Sequence, residues 1–188
     1  MKNILLIGGA RSGKSHYAQE LALKSAQPVL FVATAEAADE EMRQRIEEHR
    51  KARPADWSVL EATTHVGNHI LQNIDRAQIV IVDCITLLVS NILTQHSNPG
   101  SEQMEASLIE KEVMAEISEL VDCMNRVNAS FIIVTNEVGL GLVPSNKLGR
   151  LYRDFLGRAN QTLAQSVDEV YYMVAGLPLP VKQLAIDR

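Results

Sequence analysis

Asn3-Ile4-Leu5-Leu6-Ile7-Gly8-Gly9-Ala10-Arg11-Ser12-Gly13-Lys14-Ser15 is a short apolar run that ends in glycine and passes directly into a helical pattern. Its second part, Gly8 to Ser15, satisfies G-x-x-x-x-G-K-[ST] in the strand, loop, helix order that a phosphate-binding loop requires. The residue types follow from the chemistry. Glycines let backbone N–H groups turn inward around phosphate oxygens, and the helix that follows points its positive dipole end at the same anion. Lys14 is placed to reach the β- and γ-phosphates, and the Ser15 hydroxyl is placed to take a Mg²⁺ site. On the order of 0.01 chance matches are expected in a chain of this length, so a glycine-rich turn that merely caps a helix is the weaker reading.

Outward from this loop, apolar β-type runs alternate with helical patterns to the end of the chain, which predicts parallel strands joined by crossover helices. Strands are expected at Asn3 to Ile7, Pro28 to Ala33, Trp57 to Glu61, Gln78 to Val82, Ser130 to Thr135 and Glu169 to Val174, with a short last one near Leu179 to Gln183. Runs such as Ile79-Val80-Ile81-Val82 and Phe131-Ile132-Ile133-Val134 suit strands buried on both faces. Helices are expected at Lys14 to Ser25, Ala37 to Lys51, Met104 to Asn125 and Lys147 to Ser166, with a surface excursion at Gln95 to Gln103. The fold class is α/β: a P-loop NTPase-like (RecA-like), mostly parallel sheet flanked by helices, in a single domain over residues 1–188.

Composition narrows the function. The chain has 188 residues, 18 basic and 23 acidic side chains and a formal net charge of −5. A chain of this length buries enough surface to need no disulfides or structural metal. The acidic balance argues against nucleic acid and against an anionic membrane surface as partners, since both need clustered positive charge. Cys84 and Cys123 lack CxxC spacing, which suggests neither a zinc site nor a disulfide framework, and fits a reducing cytoplasm. No apolar run approaches the roughly 18 residues of a membrane span.

Two further elements carry candidate chemistry. Asp83 follows the apolar run Ile79 to Val82, where a nucleotide fold keeps a carboxylate for Mg²⁺; as a favoured cap, it equally suits the start of a helix at Ile85. The segment Glu36 to Pro54 is a polarised helix with acids at its start and bases at its end, stopped by Pro54. Its sparse apolar stripe, Ala38, Met42 and Ile46, puts His49 on the inward face. A histidine there is either a packed, hydrogen-bonded residue or a nucleophile whose neutral imidazole attacks phosphorus. The bases around it, Arg50, Lys51 and Arg53, are either a solvated helix end or the charge that offsets a phosphate.

Together these residues resemble the bifunctional adenosylcobinamide kinase / adenosylcobinamide-phosphate guanylyltransferase family of cobalamin nucleotide-loop assembly. The resemblance covers essentially the whole chain, through GGARSGKS at Gly8, ATA at Ala33 to Ala35, RIEEHRKARP at Arg45 to Pro54 and Trp57 with Glu61. It continues in DCIT at Asp83, SNIL at Ser90, TNEVGLGLVP at Thr135 to Pro144 and DEVYYMVAGLPL at Asp168 to Leu179. It implies phosphorylation of the aminopropanol hydroxyl of adenosylcobinamide by ATP or GTP. Transfer of GMP from GTP to that phosphate follows, with loss of pyrophosphate, through a histidine phosphoramidate at His49. Lys14 is implied as the other catalytic residue. The implied nucleotide site is Gly8, Gly9, Ala10, Arg11, Ser12, Gly13, Lys14, Ser15, Ala33, Thr34, Ala35, Arg50, Lys51, Ala52, Arg53, Glu61 and Asp83, with Ser15 and Asp83 holding Mg²⁺. Glu61 is the implied acceptor for guanine N1–H and N2–H₂; its other reading is a solvent-facing strand end. A homotrimer is also implied.

The chain departs from the pattern at Glu48, where some members carry a second histidine, and at Gly149, a weak helix former that puts a helix boundary in question. Asn136 and Glu137 lie past a strand end, where open α/β sheets place ligands. Lys147, Arg150, Arg153 and Arg158 read either as contacts to the corrinoid or a neighbouring subunit or, more simply, as a solvated helix face. Two other functions compete: a P-loop kinase for another small molecule, with His49 structural, and a GTP-binding switch. Against the switch, Asn146-Lys147-Leu148-Gly149 lacks the acid of N-K-x-D, and Asp83-Cys84-Ile85-Thr86 is not D-x-x-G.

Overall fold

The computed structural model describes residues 2–36, 40–51, 53–96 and 106–185, and leaves the side chains of residues 41, 42, 45, 46, 48 and 49 outside that description. The chain runs β1 (Ile4–Gly8), α1 (Lys14–Ser25), β2 (Val29–Ala33), α2 (Glu40–Lys51), β3 (Ser58–Glu61), α3 (Val66–Asn73), β4 (Ile79–Asp83) and α4 (Ile85–Gln95). It continues with α5 (Ala106–Arg126), β5 (Ser130–Asn136), α6 (Lys147–Ser166), β6 (Glu169–Val174), β7 (Leu177–Pro180) and α7 (Val181–Leu184). The strands form one sheet in the order β3-β2-β4-β5-β1-β6-β7, parallel except for the β6–β7 pair. The predicted α/β architecture therefore stands.

Side-chain alternation splits the core across the sheet. Leu5, Leu30, Val80, Val82, Phe131 and Ile133 face a large cluster shared with α3, α4, α5 and α6, whereas Leu6, Phe31, Ile79, Ile81, Ile132 and Val134 face a smaller one with Ala18 and Ala22 of α1 and with Trp57. Adjacent strand residues go to opposite sides and both sides are dry, which is why the strands read as unbroken apolar runs.

The helix α3 was not expected, because much of what holds its start comes from another element. His65 precedes it in the left-handed conformation (φ 51°) and offers no side-chain cap. Glu116 of α5, itself buried, instead accepts the His65 N–H at 2.8 Å and the Val66 N–H at 2.7 Å, and Glu119 accepts the Asn68 N–H at 2.9 Å. Two acids of the α5 stretch thus complement the helix dipole of α3. Gly67 permits the approach: a β-carbon there would lie 2.5 Å from the Glu119 carbonyl oxygen. Gly67→Ala is expected to destabilise the fold by ~2–3 kcal/mol, a fall in Tm of about 5–10 °C by thermal melting; an unchanged Tm would contradict this packing.

The last strand requires a correction. It runs Leu177–Pro180 and not from Leu179 to Gln183, where residues Val181–Leu184 form α7 instead. Ala175 and Gly176, both at positive φ (49° and 83°), make a two-residue hairpin turn that fixes the pairing at Val174–Leu177. Such a turn matches the strands' right-handed twist and so decides the register. Gly149 does not displace the start of α6. Asn146 caps that helix by accepting the Gly149 N–H at 2.6 Å, and a β-carbon on Gly149 would lie 2.8 Å from Pro144 Cβ, so the weak helix former is a close-approach position. Of the expected excursion at Gln95 to Gln103, residues 97–103 lie outside the described residues.

Candidate active site

The phosphate loop leaves the sheet at the carboxyl end of β1, between β5 and β6, where Gly8 pairs with Asn136 and Met173. A β-carbon on Gly8 would lie 2.5 Å from the Met173 carbonyl oxygen, so the strand can pack there only as glycine. Arg11 (φ 57°) and Gly13 (φ 93°) supply the left-handed turns that bring the chain round to α1. The β6–β7 turn braces this bend: Gly176 N–H donates to the Ser12 carbonyl at 3.0 Å, and a β-carbon on Gly13 would meet Gly176 Cα at 3.1 Å. The Ala175-Gly176 pair between two apolar runs was the sequence signal for this support. Lys14, only 6% exposed, donates from Nζ to the Gly9 carbonyl at 2.6 Å and the Gly8 carbonyl at 3.1 Å, which centres its ammonium over the loop. Ser15 is half-buried in the first turn of α1, while Ala10 and Arg11 are exposed.

The second wall is the end of β4. Asp83 closes that strand in register with Ala33 and Val134, and the cap position of α4 falls on Cys84, so the helix-cap reading of Asp83 is corrected. Thr34, fully buried, holds this corner with its hydroxyl, which donates to the Cys84 carbonyl and accepts the Cys84 N–H, both at 2.7 Å. Asn91 Nδ2 then donates to the carbonyls of Thr34 (2.9 Å) and Thr63 (3.0 Å). The Thr34 side chain is thus turned onto Cys84, and the half-buried Ala33 and Ala35 flank it. Thr34→Val keeps the shape and removes this bond pair; a loss of ~2–3 kcal/mol in a denaturant melt is expected, and a parental midpoint would contradict the clamp.

Burial, reinforced by the Asp83 charge, pushes the Cys84 thiol up to about 11, with Lys14 among the groups acting the other way. Cys84 is therefore a packed thiol and no nucleophile at neutral pH. Behind it, burial first and then Cys84 push the Tyr152 hydroxyl up to about 12; that hydroxyl donates to the Thr86 carbonyl at 3.3 Å. The Asn136 N–H donates to Thr86 Oγ1 at 2.7 Å, and Asn160 Nδ2 donates to the Asn136 carbonyl at 3.0 Å, so the end of β5 is tied to α4 and α6.

The third wall lies beyond the end of α2. The Arg53 guanidinium carbon stands 4.2 Å from the centroid of the Phe31 ring, a cation–π contact on the α1 side of the sheet. Burial holds Arg53 below its ordinary value and Arg50 adds to this, while Asp83 and Glu61 oppose it. The charges of Asp83, Arg50 and Glu61 therefore all reach Arg53. Glu61, exposed, ends β3 in register with Ala33, and Arg50 and Lys51 are exposed at the end of α2. His49 lies on α2 one residue before Arg50; its side chain, its expected inward face and Ala52 fall outside the described residues. Of the four bases suggested on α6, Arg150 donates to the carbonyls of Pro144 and Ser145, Arg153 pairs with Asp154 and Arg158 with Glu110, leaving Lys147 as an exposed residue of a mostly structural set.

A braced glycine-rich loop with a central lysine, opening at the carboxyl ends of parallel strands beside a strand-end carboxylate, defines a P-loop nucleotide-binding α/β protein. Solved structures agree at the level of fold: a protein of Pyrococcus horikoshii OT3 (TM-score 0.52, 11% identity, covering 95% of this chain and 85% of that one) and the RadB recombinase (TM-score 0.50, 15% identity, 91% and 73%). Sequence comparison is more specific. The family model described as cobinamide kinase / cobinamide phosphate guanyltransferase matches residues 4–181. The bifunctional adenosylcobalamin biosynthesis protein CobU of Escherichia coli K12 is 39% identical over 180 residues (95% of this chain, 99% of the relative), and CobP of Pseudomonas aeruginosa 38% over 178 (95% and 96%). The chain belongs to the cobinamide kinase / cobinamide phosphate guanyltransferase family.

Proposed function

We propose that this protein is a cytoplasmic enzyme of cobalamin biosynthesis that phosphorylates adenosylcobinamide with ATP or GTP and then transfers GMP from GTP onto the phosphate. Besides family membership, one observation carries the reading. Glu61 and Asp83 end the strands on either side of Ala33, and Arg53, which follows the His49-bearing helix and lies over Phe31, feels both of their charges, so the candidate base-reading acid, the strand-end carboxylate and the end of that helix meet at the carboxyl edge of the sheet.

In the first reaction the backbone of Gly8 to Ser15 and the Lys14 ammonium hold the triphosphate and offset charge that builds on the transferred phosphoryl group. The substrate hydroxyl attacks the γ-phosphorus and gives up its proton to water, the bond to the bridging oxygen breaks, and the nucleoside diphosphate leaves. In the second, a neutral His49 ring nitrogen attacks the α-phosphorus of GTP and pyrophosphate departs. The phosphate oxygen of adenosylcobinamide phosphate then displaces His49, forming the diphosphate link of adenosylcobinamide-GDP. A covalent stage divides one displacement between two anions into two steps, and Arg50, Lys51 and Arg53 offset the phosphate charge in each. Glu61 accepts guanine N1–H and N2–H₂, donors that adenine lacks. One hydroxyl (Ser15) and one carboxylate (Asp83) are a donor set that Mg²⁺ accepts when phosphate oxygens and water complete its octahedron, and the ion would neutralise phosphate charge there. Assembly as a homotrimer belongs to the same reading.

The test is direct. Purified protein given adenosylcobinamide and ATP should yield adenosylcobinamide phosphate by mass spectrometry, and addition of GTP should convert it to adenosylcobinamide-GDP with stoichiometric pyrophosphate. Turnover of neither corrinoid would sink the proposal.

A further inference from the structure

The segment between β5 and α6 leaves a run of apolar side chains in water. Leu140 is 78% exposed, Leu142 97%, Val143 67%, and Leu148, one residue inside the first turn of α6, 42%. Both ends of this segment are fastened. At its root the Glu137 N–H donates to the Gly8 carbonyl at 3.0 Å, and the Glu137 carboxylate accepts the Gly139 N–H. At its far end Arg150 Nη1 donates to the carbonyls of Pro144 (3.0 Å) and Ser145 (2.7 Å), with Pro144 packed against Gly149. An apolar patch held out by a braced frame marks a binding surface.

Its position and chemistry select the occupant. The root bond ends on Gly8, the first residue of the phosphate loop, so a molecule seated on the patch lies beside the phosphate donor. Residues 138–146 include no charged side chain. That matches a macrocycle edged with methyl groups and uncharged carboxamides, with apolar edges on the leucines and amides paired to exposed backbone groups of the loop. In adenosylcobinamide the accepting hydroxyl sits on a short amide-linked arm, so the ring must rest within an arm's length of the γ-phosphate. We infer that the 138–148 segment, through Leu140, Leu142 and Val143, is the seat of the corrin ring in the kinase step. This inference rests on the function proposed above and names where its acceptor binds.

The experiment compares the parent with the double variant Leu140→Ser/Leu142→Ser. Both side chains are solvent-exposed, so the variant should melt with the parent, and circular dichroism checks this. Adenosylcobinamide binding is read by equilibrium dialysis on the corrinoid absorbance without nucleotide, and the kinase reaction by separate KM values for corrinoid and ATP. A rise of ~100-fold in corrinoid dissociation constant and KM is expected, roughly tenfold per leucine, with the KM for ATP and the labelling of the protein by GTP unchanged. A parent that phosphorylates adenosylcobinamide alongside a variant with parental corrinoid KM overturns this inference and leaves the proposed function standing. A parent that neither binds nor phosphorylates the corrinoid overturns both. A variant with unchanged corrinoid binding but altered sedimentation assigns the patch to contact between copies of the chain, which also overturns it.

Discussion

His49→Ala is expected to take up no acid-labile, alkali-stable label from GTP carrying the isotope at its α-phosphate. The proposed covalent stage puts the guanylyl group on an imidazole nitrogen, and a phosphorus–nitrogen bond of this kind breaks in acid and survives base. Loss of the nucleophile should lower guanylyl transfer by at least ~10³-fold, because the covalent intermediate can no longer form. Cys84, the nearest thiol in sequence to Asp83, is pushed up to about 11 by burial and by the Asp83 charge, and so offers almost no thiolate at neutral pH. The kinase step attacks the γ-phosphorus and does not use His49, so ATP-dependent formation of adenosylcobinamide phosphate should continue in the variant. Label that survives the substitution would assign the nucleophile elsewhere; loss of both activities together with a lowered melt would show that His49 serves a structural role at the end of α2.

The second large effect is expected at Lys14, which should affect both reactions. Its ammonium is already centred on the loop through the Gly8 and Gly9 carbonyls, and removing a preorganised charge from the site of charge development typically costs about 10²–10³-fold in rate. Lys14→Ala should therefore lower kinase turnover and histidine labelling by that factor or more, and weaken GTP in a binding titration. Because Lys14 is buried, the loop could rearrange once the side chain is gone. Lys14→Arg keeps the charge and fills the space with a planar fork in place of a compact ammonium, and it should remain strongly impaired. Parental kinase activity in Lys14→Ala would remove the phosphate-loop mechanism altogether. Together with His49→Ala the pair is diagnostic, since one residue should silence both transfers and the other only guanylyl transfer.

Where sequence and structure agree, the reasons are local. The bounds of α1 and α6 are as expected because Gly13 and the Asn146 cap mark their starts in the chain itself. The double-faced strands declare themselves through unbroken Val, Ile and Leu runs, and the phosphate loop through glycine spacing that has few other uses. The disagreements are tertiary. The start of α3 depends on Glu116 and Glu119 of another helix, which no short-range pattern around Val66 records. The last strand starts two residues and ends three residues before the run the sequence suggests, because Pro178 and Pro180 obscure an edge strand whose register comes from the Ala175-Gly176 turn. Of the two roles open for Asp83 in the sequence, pairing removes the helix cap: β4 runs on to Asp83, and the cap position passes to Cys84.

The sequence by itself determined the α/β class, the phosphate loop and the family, because each is written in short local patterns that can be read one after another along the chain. Only the tertiary structure decided that Thr34 spends its hydroxyl on the Cys84 backbone, that the β6–β7 turn braces the phosphate loop, and that Arg53 lies over Phe31 within reach of the Asp83 and Glu61 charges. The physical reason is common to all three. A hydrogen bond, a glycine contact or a screened charge acts over a few ångströms of space, and in a parallel sheet the strand ends that share that space are separated by whole crossovers of chain.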